Sequence, residues 1–430
     1  MKRATAWWIF LFLCVSAPCA QQTDPKQGAP PGNPAVRITL EQAIQFALQH
    51  NHALLAARST ILQGQAAEIT ANLRPNPSIS ADSQFLPFFN FSQFNPTYFN
   101  NNVQFDVGID YTFERGKKRP RRLQAAQDQT AVTRSQVADN ERTLAFNVAQ
   151  QFVAVLLSQS TLELANDNLS SFQQTVNLSE TRTKAGDMSE GDLLKIKLQT
   201  LQFQTDLSAA KLAKLQALAL LRQLIGFESV PANYDVEGKL DYQPIHAGVE
   251  ELKALAMRSR PDLLAAQRGV TAARSQEALA QANGKRDVDA GLSYSHVGGF
   301  NTLTASFNMQ LPIFDRNQGE IARTNYAITQ SQELFTEASE QVTSDVLNAY
   351  EGVHTQDQIV TLYQTGYLDQ TTQSRDISLY AYQRGAASLL DYLDAERSYR
   401  ANQLAYRQAL SNYMLAVEQM RQAVGTRSLP

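Results

Sequence analysis

The residues of this chain best suited to chemistry are few and do not converge. His50 and His52 are two apart, which on a helix sends them to different faces and argues against chelation, while His246, His296 and His354 stand alone. Both cysteines, Cys14 and Cys19, lie at the very start, and no glycine-rich phosphate loop follows a strand. The sharper signal is a repeated one: Gly186-x-x-Ser189-x-x-Asp192-x-Leu194 returns as Gly385-x-x-Ser388-x-x-Asp391-x-Leu393. In each copy a glycine ends one helix, a serine caps the next, and an aspartate stands in the first turn, where the helix dipole favours an anion. Asp394 adds a second acid just beyond Asp391. Such groups can attract cations. They do not assemble a nucleophile, a general base or a metal centre, so no catalytic residue, cofactor or resident metal is expected.

The elements that carry these motifs are long. Val148, Val155, Leu162, Leu169 and Val176 recur every seven residues, and the chain holds no proline from Arg121 to Val230. A sustained heptad demands a partner helix, and about 65 residues at ~1.5 Å each reach roughly 100 Å. Helices are therefore expected over about 121–185, 189–225, 320–384 and 388–424, with the two motifs at the tips of two helical hairpins. Tyr392, Tyr399, Tyr406, Tyr413 and Met420 form a second heptad row, read as a packing stripe.

Two stretches alternate instead. Val103, Phe105, Val107, Ile109, Tyr111 and Phe113 are apolar with small or polar residues between them, and Leu303, Ala305, Phe307, Met309 and Leu311 do the same. Each is about the length of a tilted membrane strand, and each runs through a charged turn into a long helix. The lipid-facing set expected from this parity is Val103, Phe105, Val107, Ile109, Leu303, Phe307 and Met309. Further strands are expected at about 78–85 and 288–296, giving strands at 103–113 and 302–311 a partner each. The aromatic-rich segment from Leu86 to Asn102 reads as an external loop.

The chain of 430 residues divides into two similar halves. Residues 38–226 hold a helix, two strands and a long hairpin; 227–248 form an irregular connector; 249–425 repeat the order, with Leu263-Leu264-Ala265-Ala266 echoing Leu54-Leu55-Ala56-Ala57. Lys2 and Arg3 followed by a short apolar run read as an export signal over 1–20, and the proline-rich stretch over 21–37 reads as a disordered leader. Removal of Lys2 and Arg3 takes the formal charge from -3 to -5, which excludes nucleic acid as a partner. Lipidation at Cys19 is disfavoured by Pro18 directly before it. After the signal no stretch is long enough for a membrane helix. Any span must be made of strands, hence an outer membrane, and four strands cannot close a barrel alone.

This order of helix, strand hairpin and long helical hairpin, given twice over Ile38–Gly425, resembles the TolC-like outer-membrane factors of tripartite efflux and secretion systems. The turn from Leu311 to Arg323 is most similar to the CzcC-type heavy-metal efflux branch. The resemblance implies a mainly α fold with a membrane β-barrel: a homotrimer with twelve barrel strands and a periplasmic α-helical barrel, closed at its inner end until an adaptor docks at the tips, around Gly186, Ser189, Gly385 and Ser388. It implies a periplasmic gate at Asp391, Asp394 and Asp192 with Tyr382 in the closing network, and an inner-membrane pump of the RND type rather than the ABC type. Three copies of Asp391 and Asp394 near one axis would repel one another and draw cations. Ala387 stands where some members carry an arginine, leaving that latch absent or rebuilt with Arg384. A duct for small toxic solutes or metal cations follows; a type I protein-secretion duct and a periplasmic coiled-coil scaffold or adhesin are the alternatives.

Overall fold

The structure, a computed structural model, describes residues 36–93 and 95–429. The signal, Cys14, Cys19 and most of the expected leader lie outside the described residues. The leader ends earlier than 37, because Arg37–Ile38 (β1) is already paired.

The first helical segment is interrupted. Thr39 opens α1 (Leu40–His50) with a capping box to Gln42, and α2 (His52–Ala71) follows at once. Asn51 separates them with an extended backbone; its side chain accepts from Leu54 N at 3.1 Å and donates to Leu224 O at 2.9 Å. One side chain thus starts a helix and ties it to the end of another. Next come β2 (Ser78–Gln84), a short helix α3 (Pro96–Asn102) capped by Asn95, and β3 (Gln104–Phe113). The long hairpin is α4 (Lys118–Lys184) and α5 (Glu190–Ile225).

The connector is not wholly irregular, since β4 (Asp235–Val236) pairs in parallel with β1. The second half opens with α6 (Val249–Ser259) and α7 (Pro261–Asn283), split at Arg260. Pro261 holds the residue before it out of the helical region. The separation of Asn51 and Arg260 equals that of Leu54 and Leu263, so the break belongs to the repeat. Arg260 also copies the tie: it donates to Ala423 O at 3.2 Å, near the end of the last helix. Gly226 and Gly425 terminate the two returning helices with positive φ, and a Cβ on either would press on His50 or Arg260 at 3.0 or 3.1 Å.

β5 (Val288–Val297) and β6 (Phe300–Asn308) form a hairpin through Gly298-Gly299, both at positive φ. β6 starts two residues before the expected strand and ends three before it, which leaves Met309 beyond the sheet. The turn after β6 leads into α8 (Gln318–Leu362) and α9 (Leu368–Gln383), and α10 (Leu389–Val424) returns. The expected single helix over 320–384 is broken by a π-type turn at Tyr363–Tyr367, where Gly366 takes φ 119. Its counterpart α4 runs unbroken for 67 residues. The two helix starts after the sheet match at Lys117 and Asn317, both left-handed.

Each half has its own core. Ile44, Val148, Phe152, Val155, Leu221 and Ile225 cluster in the first, and Leu252, Val342, Val346, Tyr413, Met420 and Val424 in the second. The tyrosine row is indeed packed at Tyr392 and Tyr413, with Tyr399 and Tyr406 half-buried. Arg260 is only 5% exposed and is held by Asp262 and by Asp345 at 2.7 Å. Its removal takes the nearest cation from two half-buried carboxylates, leaving Asp262 with Arg142 at 3.7 Å and Asp345 with Gln341 at 2.6 Å. We expect Arg260→Ala to lower the urea-unfolding free energy by about 3 kcal/mol or more, against ~1 kcal/mol for the capping loss in Asn51→Ala.

Candidate functional site: a two-faced sheet and paired hairpin tips

The four strands form one antiparallel sheet in the order β2-β3-β5-β6. Its register lines up Ile79, Ile109, Leu292 and Ala305 in one row, and Ala81, Val107, Tyr294 and Leu303 in the next. Directly paired residues share a face. One face therefore carries Phe105, Val107, Ile109, Leu292, Leu303 and Phe307, all exposed except at its flanks. The opposite face carries Asp82, Asp106, Asp110 and Asp289 among serines, threonines and glycines: Ser80 pairs Gly108, which pairs Ser293, which pairs Thr304. All four acids of the sheet stand on that second face, and neither face holds a lysine or arginine. The polar side chains satisfy one another locally, as in Thr112 to Asp289 at 2.6 Å.

Two residues assigned to the apolar face by parity are not on it. Val103 is 6% exposed and ends α3 rather than starting β3; the chain bends there before the sheet begins. Met309 lies past the last ladder pair, where Arg115 Nη1 donates to its sulfur at 3.4 Å. The segment before Val103 contains a helix, and Phe88, Phe89 and Phe91 on it are exposed.

Both hairpin tips are built alike and lie side by side. Gly186 and Gly385 take positive φ, and nothing stands within 4 Å of where a Cβ would sit on either. Ser189 Oγ accepts from Asp192 N at 3.1 Å, and Ser388 Oγ from Asp391 N at 3.2 Å. In the second tip the Asp391 carboxylate turns back on the cap, accepting from the Ser388 hydroxyl at 2.7 Å and its N–H at 3.0 Å. These bonds hold its pKa below the ordinary 3.8, the hydroxyl contributing most. Asp192 is lowered as well, first by Lys195 at 3.1 Å and then by Ser189. Asp394 points outward, 3.9 Å from Arg397.

Tyr382 packs behind the tips, and its hydrogen bonds go to Met188 and Arg182 rather than to these acids. It is 7% exposed, its ring stacked 5.5 Å from Tyr392, with its hydroxyl on Met188 Sδ at 3.7 Å and its carbonyl accepting from Arg182 at 3.1 Å. It thereby fastens one hairpin to the other. Arg384 lies over the Tyr380 ring, 5.2 Å from its centroid. The sequence reading missed a buried group behind the tips: Glu396, 7% exposed, whose carboxyl is pushed up by burial and drawn down by Arg375 and Arg400. Arg400 also covers the Phe203 ring and reaches Asp206 at 3.3 Å. The four-residue spacing of Glu396 and Arg400 was the available signal. Among the described residues no helix is long and apolar enough to cross a membrane, and no group of three metal-ligating side chains occurs.

The profile of the outer membrane efflux protein family matches this sequence twice, over residues 43–227 and 252–426. The chain belongs to the outer membrane efflux protein family. It is 24% identical over 378 residues to the cobalt-zinc-cadmium resistance protein CzcC of Cupriavidus metallidurans, covering 86% of this chain and 85% of that one. It is 25% identical over 386 residues to the pyoverdine export outer membrane protein OpmQ of Pseudomonas aeruginosa, covering 85% and 80%. The fold matches the crystal structure of a membrane protein from Pseudomonas aeruginosa at TM-score 0.75 and 18% identity, over 94% of this chain and 99% of that one. This outer-membrane efflux protein is thus a transport component, with its sheet and hairpins arranged as in that solved membrane protein.

Because the fold depresses the Asp391 pKa, its capping bond stabilises the second tip at pH values above the ordinary 3.8 and is lost as pH falls through the lower folded value. Hydrogen exchange of the first-turn amides of α10, corrected for intrinsic rate, is expected to quicken across that acid range. Ser388→Ala should quicken exchange at every pH and shrink the pH dependence to the part carried by the remaining Ser388 N–H bond.

Proposed function

We propose that three copies of this chain form the exit duct of a tripartite efflux assembly. A periplasmic adaptor would join the tips, and an inner-membrane pump of the RND type would supply small toxic solutes or metal cations. The observation that carries this reading is the segregated sheet with two free edges in a chain of the efflux family. β2 and β6 each present an unpaired ladder, and lipid tolerates no open edge. Three sheets of four strands supply twelve, above the roughly eight with which barrels begin. The apolar face then meets lipid and the acid-bearing face lines water. A charge on the apolar face would cost up to ~2–4 kcal/mol at mid-depth, which fits its lack of any.

The internal repeat supports the same closure for the helices. Within the chain the first half meets the second through α4 against α7 and α4 against α10. The outer ends of that array are bare: Leu55, Leu62 and Ile69 on α2, Leu194, Leu198, Leu201, Leu212 and Leu215 on α5, and Ile377 and Tyr380 on α9 are exposed. The leucines of α5 follow one heptad row, with steps of four and three from Leu194 to Leu201, Thr205 and Ser208 in the next two places, and Leu212 and Leu215 beyond, a coiled-coil seam without a partner in this chain. Joining the α5 edge of one copy to the α9 edge of the next repeats the internal contact between copies. Metal cargo is favoured by the likeness to CzcC, and small organic cargo by that to OpmQ.

At the tips, Asp394, exposed and only loosely paired with Arg397 at 3.9 Å, would line an axial entrance, while Asp391 both caps α10 and adds charge there. Purified protein in a planar bilayer should give discrete cation-preferring currents. Asp394→Asn should weaken that preference and the block by multivalent cations, with tip hydrogen exchange unchanged. Unaltered selectivity in Asp391→Asn with Asp394→Asn would remove both residues from the gate.

A further inference from the structure

The charged turns beneath the sheet are more basic than structure alone requires. Every carboxylate there already has a cation: Glu114 pairs with Arg122 at 2.8 Å, Asp287 with Lys118 at 2.7 Å, Asp315 with Arg286 at 3.1 Å and Glu320 with Arg323 at 2.6 Å. Arg115, Lys117, Lys285 and Arg316 are left exposed, with no carboxylate within 4.0 Å among the described residues.

These four come from three segments that the fold places in contact. Asp287 accepts from Arg115 N at 2.9 Å, a Cβ on Gly116 would touch Lys285 at 3.0 Å, and one on Gly284 would touch Arg316 O at 2.7 Å. Arg115 continues the parity of Phe113, and its guanidinium rests on Met309, which continues the parity of Phe307. Arg115 therefore lies just past the end of the apolar face, and the other three cations stand on the turns in contact with it. Ile313 and Phe314 beside them are exposed, Phe314 by 90%. Unpaired cations directly below an apolar wall, with an aromatic and an aliphatic side chain projecting at the same level, match the chemistry of a lipid headgroup layer.

We infer that this junction binds the phosphate groups of anionic phospholipids in the membrane leaflet facing the helical hairpins, Arg115, Lys117, Lys285 and Arg316 holding the phosphates while Ile313 and Phe314 enter the acyl boundary. The site fixes the depth at which the sheet sits. It rests on the reading that the sheet spans a membrane.

The test uses the full-length protein reconstituted into vesicles of mixed phosphatidylglycerol and phosphatidylcholine, extracted in mild detergent and examined by native mass spectrometry for retained lipid. Wild type should retain phosphatidylglycerol in preference, and the preference should shrink as salt is raised. Arg115→Gln, Lys117→Gln, Lys285→Gln and Arg316→Gln together should bring it near parity, with losses of up to about fivefold per cation. The pair Arg115→Gln and Lys285→Gln gives an intermediate reading if the fourfold variant does not insert. A variant that inserts and keeps the wild-type preference, or a wild type with none, overturns the inference. So does displacement of the retained lipid by excess inorganic phosphate, which marks a free-anion site. Extraction of wild type by carbonate would instead overturn the membrane reading itself.

Discussion

An antiparallel sheet with one mainly apolar face, one face that carries all its acids, and two open edges is the constraint on which the remaining structure depends. The pairing from β2 to β6 puts the apolar residues of four strands in common rows and the four aspartates in others. Neither face can be buried by this chain, because its helices leave the end of the sheet rather than cover it. Water on one side and lipid on the other satisfy both. In lipid the backbone groups of the edges are satisfied only by another strand, which is the ground for the proposed closure by further copies.

The helices obey the same logic with different chemistry. Each half folds a split helix against the middle of a long one and the end of a returning one, and the split residue, Asn51 or Arg260, ties the parts together through a carbonyl of Leu224 or Ala423. The halves then diverge where function would separate them. α4 is continuous, whereas its counterpart is broken at Gly366, and the second tip alone carries a full capping box. Tyr382, Tyr392 and Phe172 join the two tips into one core. The acids at the second tip are thus held on a scaffold shared by both hairpins, with Asp391 engaged in its cap and Asp394 exposed beside Arg397.

Much of this was legible in the residues. Alternation gave the strands because a two-sided environment imposes a period of two, and glycine and serine at the tips gave the hairpins because left-handed termini and caps select those types. The faces of Phe105, Val107, Ile109, Leu303 and Phe307 followed from parity alone. Val103 and Met309 failed because parity does not say where a ladder stops. The breaks at Asn51 and Arg260 were hidden by heptads that continue across a single extended residue, though Pro261 was a visible sign of the second. The π-type turn at Tyr363–Tyr367 has only Gly366 to betray it, and β1 with β4 is two residues long. The cap bond of Asp391 was written in Ser388-x-x-Asp391, but its cost to a purely electrostatic role was not.

Closure between copies is the central claim, and engineered cysteines test it directly, because Cys14 and Cys19 are the sequence's only cysteines. One cysteine placed in β2, at Ser80, is combined in turn with single cysteines along the polar face of β6, at Thr302, Thr304 and Ser306, and membranes are oxidised. The account predicts a disulfide between chains for at least one pairing, giving linked species that end at three chains and are absent from either single variant. Efficient insertion of every variant with no link between chains, or links extending beyond three, would contradict it.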